Sequence, residues 1–157
     1  MAALELPAVF PGAYRVQVFR NEGGAVLVGA IELISPANKD RDSERIAFAT
    51  KCANYLYQGV GLAVVDVVTS RAANLHNDMV RLMEREENYF FGGDESLYSI
   101  AYRPVRRGEM DLIEIWPHSL AVGQPLPTAP LYLRGGLCMP VDFEATYSEA
   151  CRRLRLA

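Results

Sequence analysis

AVLVGAIELISPANKDRDSERIAFATKCANYLYQGVGLAVVDVV, residues 25–68, is the stretch whose reading decides the fold. Its first part, 25–35, is apolar at almost every position rather than at alternate ones, the pattern of a β-strand covered on both faces. Pro36 stops that strand. Residues 40–43 offer capping side chains for a helix over 42–58, in which Ile46, Phe48, Ala49, Cys52, Ala53, Tyr55 and Leu56 form a broad apolar arc at helical spacing. Gly59 and Gly61 end the helix. A second apolar run at 62–68, interrupted only by Asp66, is another strand. Strand, helix, strand in that order predicts a right-handed crossover between two parallel, adjacent strands.

Upstream, 14–20 alternates in residue type and leads through Asn21, Glu22, Gly23 and Gly24 into the first apolar run. This is a hairpin signal, so 14–20 is expected as an antiparallel neighbour and 25–35 as a mid-sheet strand. Downstream, a helix over 71–86 is expected to bury Leu75, Met79, Leu82 and Met83, with Gly92 and Gly93 closing the loop after it. Strands follow at 97–103 and 112–116, and a proline-rich stretch at 124–130 precedes a short strand at 131–133. The last element is a helix capped by Asp142 with Phe143, Tyr147, Ala150, Cys151 and Leu154 on one face. The fold class is α/β, a mixed sheet with flanking helices, and 157 residues suit one domain over 1–157.

Composition narrows the function classes. Half the residues are hydrophobic and 22% are charged, the balance of a globular chain. The formal net charge of -3 provides no general attraction to polyphosphate, so any nucleic-acid contact must rest on a local basic patch. The longest apolar run is about half of what a bilayer-spanning helix needs, and no basic residue precedes an apolar segment at the start. A cytoplasmic protein with no membrane contact is expected. The three cysteines, Cys52, Cys138 and Cys151, have neither zinc nor disulfide spacing and read as reduced, buried thiols.

Two acids stand out. Glu32 and Asp66 each lie toward the carboxyl end of a predicted buried strand, where an ionised carboxylate is costly without a cation, a metal or a donor network. Together they could hold a divalent cation against a phosphate; the alternative is an internal ion pair with Lys or Arg, or a protonated acid. His76 falls inside the apolar arc of its helix and reads as a hydrogen-bonded core histidine, and His118 sits at a strand end. No His, Cys and Asp grouping suggests a triad, and Gly23, Gly92 and Gly135 mark turns. Arg152, Arg153 and Arg155 suit the last turn of a helix.

The runs IELISPANK (31–39) and GVGLAVVDVVTSR (59–71), with Lys51 and Tyr55 between them, carry a resemblance that continues through YSIAYRP (98–104) and LPTAPLYLRGG (126–136). The chain resembles the bacterial family called domain of unknown function 4058 over about residues 14–155. More distantly it is similar to the Uma-two-type putative endonucleases, whose core is the PD-(D/E)XK restriction-endonuclease-like fold. The resemblance implies that Glu32 matches the metal-binding glutamate of that core, with Mg or Mn as cofactor and DNA as partner if the chain is active. The lysine normally two residues later is replaced by Ile34, leaving Lys39 and Lys51 as candidates, with Lys39 preferred and a solvated lysine the plain reading of either. The family also carries a longer N-terminal part with an acid-bearing strand, whereas only Glu5 and Glu22 precede Glu32 here; the expected core is N-terminally shortened. Two functions follow from these departures: a non-catalytic relative kept for binding or assembly, which they favour, and a Mg- or Mn-dependent nuclease using Glu32 and Asp66 with Lys39 or Lys51. A sheet face left uncovered by the shortening predicts a homo-oligomer.

Overall fold

The structure is a computed structural model that describes residues 14–155. Its centre is a five-stranded mixed sheet in the order β1 (Tyr14–Asn21), β2 (Ala25–Leu33), β3 (Gly61–Asp66), β4 (Leu97–Arg107) and β5 (Met110–Leu120). Strands β2 and β3 are parallel neighbours, Glu32 beside Val64, and β1 pairs antiparallel with β2, Arg15 beside Glu32. Both pairings are as the sequence pattern predicts. The sheet is flanked by helices, so the chain is mixed α/β.

The crossover from β2 to β3 contains two helices, α1 (Pro36–Asp40) and α2 (Asp42–Tyr57). Their apolar side packs on one face of the sheet, where Phe48, Ala49, Cys52 and Leu56 meet Ala30, Leu62, Val64, Ile100 and Tyr102 in a continuous buried core. Helix α3 (Leu75–Leu82) packs beside α2, strapped to it by Arg45, whose Nε and Nη2 each donate to an Asp78 oxygen at 2.9 Å. The opposite face is covered by a hairpin of β6 (Thr128–Tyr132) and β7 (Cys138–Asp142). That face is built from small residues: the register aligns Gly29 with Gly61, and Ile31 with Ala63 and Ala101. Lacking a side chain, Gly61 lets the backbone of Tyr132 lie directly on β3, and a Cβ there would overlap the Tyr132 carbonyl oxygen. The last helix is α4 (Phe143–Leu154), capped by Asp142, whose Oδ1 accepts from the Ala145 N–H at 2.8 Å.

Several elements differ from the sequence expectation. β3, buried at all six positions, holds the middle of the sheet, while β2 lies one strand from the edge with Leu33 39% exposed. The reason is that Leu131 and Leu133 cover Gly29 but the hairpin's cover stops short of the β2 carboxyl end. Helix α1 precedes the helix expected from residue 42; Ser35 and Asn38 form a capping pair, Ser35 N–H to Asn38 Oδ1 at 2.9 Å, with Pro36 in the first turn. Helix α2 is entered through Arg41 with no side-chain cap, because Asp40 and Asp42 are engaged by Arg71 and Arg45 instead. The helix expected at 71–86 is shorter: Ala73 takes a positive φ of 120°, and the Asn74 side chain caps the helix at Asn77.

Some expected burial is also absent. Ile46 and Leu82 face an open groove between α2 and α3, Cys138 is exposed and Cys151 half-buried, so only Cys52 is a core thiol. No helix among the described residues is long and apolar enough to cross a membrane. The glutamate Glu5 lies outside the described residues.

Gly61 has no room to accept a methyl group without moving backbone. Gly61→Ala should lower stability by roughly 3 kcal/mol or more in urea unfolding, because backbone rather than a side chain must yield. Gly93→Ala, at an open position, should stay within about 0.5 kcal/mol of the parent.

Candidate functional site

Both acids singled out by the sequence lie on the helix-covered face of the sheet, buried at the carboxyl ends of β2 and β3. The crossover supplies each with a lysine. Glu32 is 1% exposed, and its Oε2 lies 2.7 Å from Lys51 Nζ, which descends from α2 across the ring of Phe48. Asp66 is fully buried, with Oδ2 2.6 Å from Lys39 Nζ and Oδ1 accepting the Val68 N–H at 3.0 Å. Neither lysine is the solvated residue of the plain reading: the Lys39 side chain is 1% exposed and that of Lys51 28%.

The lysine that reaches Glu32 is therefore Lys51. Lys39 is carried away from Glu32 by α1, whose single turn after Pro36 directs it over the end of β3. The two pairs are offset: Val64 is the neighbour of Glu32, so Asp66 is two residues further along β3 on the same face. Among the described residues, no group of three or more His, Cys, Asp or Glu side chains is placed to hold a metal ion.

Electrostatics set the two acids apart. Burial pushes the Asp66 carboxyl above the ordinary carboxylate range, against the opposing pull of Lys39 and the Val68 N–H. Around Glu32 the neighbours respond to its charge: burial first, then Glu32, raise both the Cys52 thiol and the Tyr55 hydroxyl, which in turn accepts from Gln17 at 3.3 Å. Cys52 is thus a protonated packing residue. Glu32 Oε1 is buried, and the Tyr55 hydroxyl lies within hydrogen-bonding reach of the same carboxylate.

A second polar cluster adjoins the acids and was only partly legible beforehand. His76 is buried as expected and fully bonded: Nε2–H donates to the Tyr89 carbonyl at 3.0 Å and Nδ1 accepts from the Tyr102 hydroxyl at 2.8 Å. Its backbone N–H donates to the Tyr98 hydroxyl at 3.2 Å, and Tyr98 stands beside Asp66 in the sheet register. Asn74 and Asn77 hold the following loop through the backbone of Phe91, Gly92 and Gly93. This is a satisfied network that fixes α3 against the sheet. His118 is exposed on β5, away from this cluster. Arg152 and Arg153 pair with Glu149 on their own helix, in keeping with the helix-end reading.

No family model, curated protein or solved structure matches this chain.

The burial asymmetry of the Glu32 pair sets the order of mutant effects. Lys51→Met leaves a carboxylate fully buried without its cation and should cost about 3–5 kcal/mol, whereas Glu32→Gln leaves a lysine that can turn to water and should cost about 1–2 kcal/mol. Urea unfolding of the two variants checks the order.

Burial holds the His76 imidazole below its usual range. The unfolded chain therefore takes up a proton before the native one, and this contribution to stability is present above about pH 6.5 and lost as pH falls through the lower native value. Asp66, shifted upward, acts in the opposite sense, so the difference between variants isolates the histidine. His76→Gln should lose less melting temperature than the parent between about pH 7 and pH 5.

Proposed function

We propose that the chain is a non-catalytic relative of the restriction-endonuclease-like core, retained for binding or assembly. The observation that carries this reading is that each candidate metal-binding acid already has its own lysine, at 2.7 Å for Glu32 and 2.6 Å for Asp66. A buried carboxylate neutralised in this way is a structural ion pair, and a cation entering the site would have to displace an ammonium held in the protein interior. The strand–crossover–strand unit with a hairpin partner on β2 is compatible with the core that the resemblance implies.

Support for assembly comes from the sheet face left open by the β6–β7 hairpin. Tyr14 stands opposite Leu33 and Val16 opposite Ile31, so their side chains share one face, and Tyr14 and Val16 are 58% and 56% exposed. Helix α4 adds Tyr147 and Leu154, both exposed on the side the sequence marks as apolar. Open apolar surface of this kind suits a second copy of the chain or another protein.

One observation favours the nuclease alternative. Lys51 stands beside Glu32 and is partly open to solvent, so an acid and a cation adjoin at the end of β2 as phosphodiester hydrolysis with Mg or Mn would need.

Calorimetric titration with Mn separates the two readings. The non-catalytic reading expects no Mn binding by the parent protein; stoichiometric binding that is abolished in Glu32→Gln, with the thermal melt unchanged, would establish the nuclease reading in its place. Light scattering at micromolar concentration should report a species larger than the monomer, and a monomer would count against assembly through copies of the chain.

A further inference from the structure

At the other end of the sheet from Asp66, the loop after β6 folds over the start of β3 and encloses a cleft of about 380 Å³. Its walls include Arg103, Arg106 and Arg134, the glycines Gly59 and Gly61, and the ring of Tyr132, and no acidic residue lines it. In a chain whose formal net charge is -3, a cleft lined by three arginines and by no acid is a local excess of positive residues.

The three arginines differ in how they are held. Arg103 lies over the Tyr132 ring, 4.9 Å from its centroid, and Tyr132 in turn packs against Trp116 at 4.6 Å between centroids. Glu114 holds the same arginine at 3.5 Å. Arg106 donates from Nε to the Gly108 carbonyl at 3.4 Å and lies 3.9 Å from Asp111. Arg134 makes no ion pair among the described residues; its stem lies against the turn at Gly59, where a Cβ would be 3.6 Å from Nε. A fourth cation, Arg20, borders the loop at Gly135 and is paired with Glu22 at 3.1 Å. The fold thus keeps cations at one opening and leaves the charge of Arg134 uncompensated.

We infer that this cleft binds a small phosphomonoester, with Arg134 as the main phosphate ligand and Arg103 as its neighbour. Guanidinium groups suit phosphate because their planar fork makes paired, charge-assisted hydrogen bonds to two oxygens. The cleft is larger than one phosphate group and falls in the range of small-molecule sites, and Pro104, Val105 and Leu133 give its wall an apolar part for the organic group. A nucleic-acid backbone would need a track of cations, whereas these surround a single opening. The site is separate from the Glu32 and Asp66 pairs, so the inference stands whichever reading of those acids holds.

Calorimetric titrations of the full chain with inorganic phosphate, ribose 5-phosphate, adenosine 5′-monophosphate and a single-stranded deoxythymidine octamer test it. The parent should bind the two monoesters at least several-fold more tightly than inorganic phosphate, and Arg134→Gln should weaken both by about tenfold or more. Arg85→Gln, which removes the same charge from an exposed position outside the cleft, should bind as the parent does, and all three proteins should melt alike. The inference is overturned by no monoester binding in the parent, by equal binding of the parent and Arg134→Gln, or by equal weakening in Arg85→Gln. It is equally overturned if inorganic phosphate binds as tightly as the monoesters, or if only the oligonucleotide binds.

Discussion

Two carboxylates buried under one crossover connection are the constraint on which the rest of this structure depends. Parallel neighbours such as β2 and β3 cannot be joined by a tight turn, so the chain must leave the sheet, cross one face and return. Here that excursion does two things at once. Its apolar arc closes the core over Ala30, Leu62 and Val64, and its lysines arrive at the two positions where the sheet has buried acids. An acid in β2 or β3 without the matching lysine would carry an uncompensated charge into the interior, which is why the short turn of α1 matters as much as the long α2. The pairs tie the connection to the sheet and give it a single register.

The two faces of the sheet solve different problems. On the helix side, large residues such as Tyr98, Ile100 and Tyr102 interdigitate with α2, and the hydroxyls that come with this packing are absorbed by His76. On the hairpin side the residues are small, so backbone approaches backbone, and Gly61 is the point of closest approach. That approach brings the loop after β6 across the start of β3 and places Arg134 on the cleft that Arg103 and Arg106 also line. The basic cleft therefore depends on the small residues of this sheet face, Gly29, Gly61, Ala63 and Ala101, as well as on the arginines themselves.

The acid–lysine pairs and the arginine cleft would respond differently to ligands. The pairs are compensated within the protein, so a cation has to compete with an ammonium already in place. The cleft has an arginine with no acid partner among the described residues, and an incoming anion would meet a charge still hydrated and available. On these physical grounds the cleft is the better-prepared binding position, while the acids are better understood through the stability of the fold.

The sequence by itself determined the strand–helix–strand unit, the hairpin before it, the burial of His76 and the cap of α4, since each is written in local apolar pattern or in a capping side chain beside the element it serves. It also marked Glu32 and Asp66 as acids needing compensation. It did not reveal which lysine goes with which acid, because that depends on the direction in which α1 turns after Pro36, and the Ser35 and Asn38 capping pair that starts α1 was hidden behind the end of an apolar strand. The extent of α3 is shortened by the positive φ at Ala73, and β7 has no clear strand signal because Pro140 interrupts the five-residue run Cys138–Asp142. Only tertiary structure decided the lysine assignments, the open sheet face at the carboxyl end of β2 and the arginine cleft. Each of these joins residues far apart in the chain, and their meeting is set by how closely packed elements approach one another rather than by any local preference.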